Sequence, residues 1–201
     1  MTGTIGPSDI SREKVLARLG YAQGKTLLDP QTSNLIDEEL AGAFRLITPR
    51  QVVALSPVTL IGDGVALNPG FSIASAAIRD LLAGCAEAAG FAVTIGKNLE
   101  EKRSAYGTAG EHTRALILDA IGSVITEELA ERTHRQIAAD AAQRSLAATR
   151  RFSPGYGDWR LEGQKAFLVW LGASRIGIKL NPASLMFPEK SVTALLGLKA
   201  P

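Results

Sequence analysis

The stretch Ala115-Leu116-Ile117-Leu118-Asp119-Ala120-Ile121-Gly122-Ser123-Val124-Ile125 decides the fold. It sits in a run, residues 111–144, with no proline and a single glycine, Gly122. Leu116, Ile117, Ala120, Ile121, Val124, Ile125 and Leu129 recur at the spacing that gathers side chains on one face of an α-helix. Glu127, Glu128, Glu131, Arg132 and Arg135 populate the rest of the surface. At ~1.5 Å per residue the run predicts a helix about 50 Å long, with Gly122 or the stretch after Arg135 as the place for a bend or break. Such a helix is the spine of a small domain.

Downstream, residues 161–171 read as a further helix, and residues 176–180 and 191–198 as strands separated by the turn-prone Asn181-Pro182. Upstream, residues 74–89 read as a buried helix ended by Gly90, followed by a strand over 91–95 that Gly96 closes. Residues 51–67 are rich in Val, Leu and Ile. Pro57 and Gly62-Asp63-Gly64 interrupt them, which predicts two short strands around a turn. Residues 8–19, opened by Ser8-Asp9, and residues 36–46 predict two short helices. The expectation is an α+β fold, a long central helix packed with a small, mostly antiparallel twisted sheet. Residues 1–70 form an N-terminal helical and strand appendage packing on a core of residues 71–201.

The chain has 201 residues, 46% hydrophobic and 21% charged, enough to hold a core without disulfides or metal. Its 22 basic and 20 acidic residues leave a net charge of +2 and form no basic stripe, which argues against a nucleic-acid partner. The single cysteine, Cys85, excludes an internal disulfide, and its apolar neighbours make it a small core residue. No run approaches the ~18 apolar residues of a membrane span. Asp9, Arg12, Glu13, Lys14 and Arg18 interrupt any signal-peptide core in residues 1–20, so no membrane and a cytoplasmic location are expected.

Three features bear on chemistry. Gly24-Lys25-Thr26 has the ending of a phosphate-binding loop, but Gly20 stands one position too near and a helix, not a strand, leads into it. A helix terminator and a solvated loop is the reading. His112 and His134 share one straight helix, too far apart to hold one metal, and no acidic cluster completes a set, so no metal site is expected. The segment Arg150-Arg151-Phe152-Ser153-Pro154-Gly155-Tyr156-Gly157-Asp158-Trp159 is different. Ser153-Pro154-Gly155-Tyr156 fits a type II turn, with proline pre-setting φ at the second position and glycine supplying positive φ at the third. The turn holds Arg151 and Tyr156 in fixed relation. Arg151 offers a planar fork for a carboxylate, Gly155 and Gly157 admit a ligand close to the backbone, and Tyr156 adds a flat face and a hydroxyl. On chemistry alone these residues suit a ligand loop and a well-made surface turn equally.

Arg151-x-x-x-Gly155-Tyr156 resembles the R-x-x-x-G-Y signature of the activation domain of cobalamin-dependent methionine synthase. Other segments agree in order. Ala92-Val93-Thr94-Ile95-Gly96 resembles a strand of that family, and residues 115–123 the start of its long helix. Gln164-Lys165, Ile176-Gly177-Ile178-Lys179-Leu180 and residues 185–192 resemble its C-terminal half, so the similarity spans residues 72–198.

The resemblance implies a domain that binds S-adenosylmethionine and docks over the corrinoid of a partner whose cobalt(I) has been oxidised to cobalt(II). It implies a low-potential electron donor, flavodoxin-like or ferredoxin-like, that reduces the cobalt before methylation. Carried over by position, Arg151 would hold the methionine carboxylate, and Ser153 would present its backbone. Pro154, Gly155 and Gly157 complete the cofactor-binding turn, and Tyr156, the catalytic candidate, would lie near the methyl group and the corrinoid face. The implied partner is cobalamin-binding methionine synthase or another corrinoid protein, expected to be met in trans because 201 residues leave no room for further domains. Two positions depart from the pattern. Asn181-Pro182-Ala183-Ser184 stands where the bacterial prototype has Thr-Glu-Ser, and its adjacent tyrosine pair has no counterpart before Pro201, which implies fewer contacts to the adenosine. The competing readings are reactivation of a different corrinoid methyltransferase, and a binding or escort module that uses no S-adenosylmethionine.

Overall fold

The computed structural model describes residues 5–22 and 26–200 and has an α+β architecture. The first helical segment divides into a 3-10 turn at Pro7–Asp9 and α1 (Arg12–Arg18). The cap of α1 is Ser11, not Ser8: its hydroxyl accepts from the Lys14 amide. Helix α2 (Pro30–Ala43) begins well before residue 36. Asp29 accepts from the Thr32 amide, and Pro30 occupies the first helical position, where a missing N–H is harmless. Then come β1 (Arg50–Ile61), β2 (Gly64–Leu67), β3 (Phe71–Ala74), α3 (Ala76–Leu82) and β4 (Glu87–Thr94). They are followed by α4 (Asn98–Thr108), α5 (His112–Ala142), β5 (Ala147–Ala148) and α6 (Gly163–Leu171). A 3-10 turn at Ala173–Ile176, β6 (Lys179–Leu180), β7 (Met186–Phe187) and β8 (Ser191–Lys199) complete the chain.

The helix expected over residues 74–89 forms only in its first half. It stops at Leu82, Gly84 takes a φ of +73°, and β4 passes straight through Gly90. Gly90 is a packing residue: a Cβ there would lie 2.4 Å from Trp170 Cζ3 and 2.9 Å from Phe167 Cε2. Its bare backbone lets α6 press against the sheet. The strand expected over 176–180 shrinks to Lys179–Leu180, because residues 173–176 form the 3-10 turn. The long helix runs unbroken for 31 residues. Gly122 is therefore no hinge; a Cβ there would meet Leu99 Cδ2 at 2.8 Å and Lys190 Cε at 3.2 Å.

Among the described residues six strands form one antiparallel sheet in the order β3-β2-β1-β4-β8-β5, with β6 and β7 in a separate small hairpin. The register of β1 with β4 runs from Arg50↔Thr94 to Pro57↔Glu87, so the sheet is continuous across residue 70. Pro57 leaves β1 intact. Val58 N–H donates to Ala86 C=O at 3.2 Å, which sets the ladder so that the missing N–H of Pro57 points away from β4.

Both faces of the sheet are covered. Phe91 and Val93 pack with Ile36, Leu118, Ile121 and Ile125 under α2 and α5, while Ala88 and Ala92 pack with Ile78, Trp159 and Phe167 under α3 and α6. This two-sided burial explains why β4 reads as a continuous apolar run rather than an alternating one. Cys85 is buried beneath Gly197, where no Cβ would fit, and burial raises its thiol pKa.

Candidate functional site

The 151–159 loop is irregular and firmly tied. Phe152 exchanges two backbone hydrogen bonds with Leu195 of β8, each 2.8 Å. Ser153 Oγ donates to Thr193 C=O at 2.6 Å, and Gln164 Nε2 donates to Thr193 Oγ1 at 2.9 Å, which links the loop through β8 to α6. Tyr156 N–H donates to Ser153 C=O at 3.3 Å and Gly155 has φ +92°, the geometry of the expected type II turn. Gly155 N–H then donates to Trp159 C=O at 2.7 Å. Trp159 is buried edge-on to Phe167, with ring centroids 5.2 Å apart.

Asp158 fastens the far end. It accepts from Ser75 Oγ and from the amides of Ala76 at 2.7 Å and Ala77 at 3.3 Å, capping α3. The Ser75 hydroxyl, then these amides, hold its carboxyl below the usual aspartate range.

Arg151 and Tyr156 line the same cleft, about 370 Å³, together with Glu127, Arg150, Phe152 and Ser153. Arg151 Nη2 lies 3.5 Å from Glu127 Oε2 and 3.5 Å from Glu131 Oε2, two carboxylates one turn apart on α5. These contacts are long for charge-assisted hydrogen bonds, and among the described residues no hydrogen bond engages the rest of the guanidinium. Tyr156 is 68% exposed. Pro154 is buried under the turn, and Gly155 and Gly157 are exposed.

Arg151 and Glu127 also border a neighbouring cleft of about 680 Å³, whose other walls include Lys14 and Arg18 of α1, Ser123 and Lys190. Lys190 Nζ sits 2.9 Å from Asp119 Oδ1 and 2.9 Å from Ser123 Oγ. Burial opposes ionisation of Asp119, but hydrogen bonds from Lys190 and Arg103 prevail and keep its carboxyl below the usual range.

The structure thus brings Arg151, Ser153 and Tyr156 together on one rigid turn. Glu127, Glu131, Lys190 and the α1 cations were not singled out from sequence. One signal was present: Glu127 and Glu131, like charges four apart on a helix, repel unless a cation bridges them. His112 and His134 lie far apart on α5, and among the described residues no group of three His, Cys, Asp or Glu side chains is placed to hold a metal. Gly24 and Lys25 of the phosphate-loop reading lie outside the described residues. Among the described residues no helix is long and apolar enough to cross a membrane.

Comparison with known proteins gives two findings. A family model described as the activation domain of vitamin B12 dependent methionine synthase matches residues 72–200. The fold is similar to that of a solved structure, "Crystal Structure of the MetH Reactivation Domain bound to AdoHcy", with a TM-score of 0.69 and 17% identity over 90% of this chain and 71% of that one. A search of curated proteins returns no match. The matched segment takes in the whole R-x-x-x-G-Y turn, the long helix and the strands that anchor them, and the chain belongs to the family of vitamin B12-dependent methionine synthase activation domains.

Proposed function

We propose that this chain returns an oxidised corrinoid to its methylated form, holding S-adenosylmethionine in the cleft beside the 151–159 loop. The observation that carries this reading is the lining of one cleft by Arg151 and Tyr156, across a turn tied down on both sides. When bound, S-adenosylmethionine supplies the methyl group and the partner's cobalamin supplies the reduced cobalt that accepts it. Arg151 binds the ligand carboxylate with its fork, and Glu127, on the wall of the same cleft, offers an acceptor to the ammonium. Ser153, Pro154, Gly155 and Gly157 present main chain at close range. The exposed Tyr156 ring meets the corrinoid face and excludes water from it. None of these residues has to gain or lose a proton; their work is positioning.

The family membership, and the AdoHcy bound to the reactivation domain of similar fold, support this ligand class. The corrinoid protein, methionine synthase or a related methyltransferase, is met in trans, and a low-potential donor of the flavodoxin or ferredoxin type delivers the electron. Calorimetric titration with S-adenosylmethionine tests the site. Wild type is expected to give saturable heat. Arg151→Ala should bind roughly 10- to 100-fold more weakly, the equivalent of about 1.5–3 kcal/mol for a lost hydrogen bond to a charged group. Absence of heat from wild type, even with the corrinoid partner present, would leave an escort role and end this reading.

A further inference from the structure

Away from the Arg151 cleft, the sheet has an open edge. The Val58–Ala86 hydrogen bond sets the phase of the ladder: even-numbered peptide groups of β1 face β4, and odd-numbered ones face away. On that outer side β2 pairs only with Val58, Thr59, Leu60 and Ile61. The chain then leaves the sheet at Asn68, whose amide donates to Ser56 Oγ at 2.6 Å. Among the described residues no strand lies beside the outward peptide groups of Gln51, Val53 and Leu55. Among the described residues nothing else takes their hydrogen bonds.

This edge is apolar. Val53 is 40% exposed and Leu55 55% exposed. Gln51 and Val53 form one wall of a cleft of about 330 Å³ whose other wall is Arg175 and Ile176 of the 3-10 turn. Arg50 lies at the head of the strand, close to Gly177 just after that turn. Among the described residues neither Arg50 nor Arg175 has a carboxylate at ion-pair distance; Arg175 makes only long hydrogen bonds, from Nε to the Gly172 carbonyl at 3.3 Å and from Nη2 to the Leu171 carbonyl at 3.5 Å, and its Nη1 is not engaged by either. Exposed strand edges are normally blunted by charge, proline or cover, and here Pro57 blunts one end alone.

We propose that this edge accepts an extended segment of a partner polypeptide with alternating apolar and acidic residues, added to β1 as a further strand. The peptide groups of Gln51, Val53 and Leu55 set its register, Val53 and Leu55 bury its apolar side chains, and Arg50 and Arg175 select its carboxylates. At ~3.3 Å per residue the open edge is about 16 Å long, room for about five residues. A second copy of the chain fits worse, because antiparallel pairing about Val53 would bring two Arg175 guanidinium groups together. The edge does not use the Arg151 cleft, so this inference and the proposed function stand or fall separately.

Amide-resolved NMR on the full chain tests it, with a capped Glu-Val-Glu-Val-Glu-Val peptide as probe and its Lys-Val counterpart as control. In the free protein the amides of Gln51, Val53 and Leu55 should exchange roughly tenfold or more faster than those of Val52 and Ala54. The acidic probe should shift and protect the three outward amides; the basic control should not. Val53→Pro deletes one outward N–H and leaves the β4 ladder whole, so it should abolish binding while the melting curve is kept. Leu55→Ser, a second variant without a backbone change or a new charge, should weaken binding severalfold. Equal response to the basic peptide, shifts confined to other residues, no shift at millimolar probe, or indifference to both variants would overturn the proposal. So would protection that rises with protein concentration alone, which would assign the edge to self-pairing.

Discussion

Arg114 and Arg151 each face acidic residues at the long helix and do opposite things. Arg114 donates to Glu38 at 2.8 Å and to Glu39, lies 3.3 Å from Glu111, and sits over the Tyr106 ring, whose hydroxyl also donates to Glu39 at 2.8 Å. Glu39 is 6% exposed. The cluster is a buckle that fastens α2 to α5. Arg151 stands 3.5 Å from both of its carboxylates and opens onto a cleft. A saturated fork locks two elements together; an unsaturated one, held in place and left facing a cavity, keeps donors free, as the proposed ligand role requires. The contact geometry separates the two, not the residue type.

The largest effect expected is on the buckle. Arg114→Ala leaves the buried Glu39 carboxylate without its cation, which should cost about 2–3 kcal/mol, the usual penalty for breaking a buried pair reduced for the partial exposure of Arg114. Denaturant titration measures it, and S-adenosylmethionine binding should be unchanged. Arg151→Ala should invert that result. Stability should move by less than about 0.5 kcal/mol, while ligand affinity falls roughly 10- to 100-fold in calorimetry. If both variants changed stability equally and binding not at all, the contrast between the two arginines would vanish.

Gly155→Ala examines the turn that carries Arg151 and Tyr156. With φ at +92° a Cβ is strained although only Leu161 lies within reach, so a loss of about 1–2 kcal/mol and weaker ligand binding are expected. The smallest effect concerns pH. Asp158 is held below the ordinary aspartate value of 3.8 by Ser75 first and the Ala76 and Ala77 amides next. A carboxylate with a lowered folded-state pKa contributes its full stabilisation above the unfolded value and loses it as pH falls through the folded one. The loop anchor should therefore be complete above pH about 4 and loosen below it. Fluorescence of the buried Trp159 should report that step, and Asp158→Asn should flatten it.

The long helix was legible because its apolar repeat is local and uninterrupted, and the R-x-x-x-G-Y turn because proline and glycine impose their φ angles without help. Within residues 74–94 the helix over 76–82 and the strand from residue 91 stand, and residues 83–90 differ from the reading, because Gly90 carries the same letter whether it stops a helix or clears room for Trp170 and Phe167 across the sheet. Glu127 and Glu131 left one sequence trace as site residues, their like charges four apart on a helix, and Lys190 left none. Their roles arise from which loop lies over α5, and nothing near them in the chain specifies that. Pro57 predicted a broken strand, yet β1 runs through it because the ladder's phase turns the missing N–H outward.

Sequence by itself determined the α5 spine, the bend at Ser153–Tyr156 and membership of a recognisable family, since each rests on short-range spacing or backbone preference. Only the tertiary structure decided that Arg151 would face a cleft between two glutamates, that α1 would border the same region, and that one edge of β1 would stay open. Those outcomes depend on long-range packing, in which the partner of a side chain or a peptide group is chosen by how the sheet and helices close on one another.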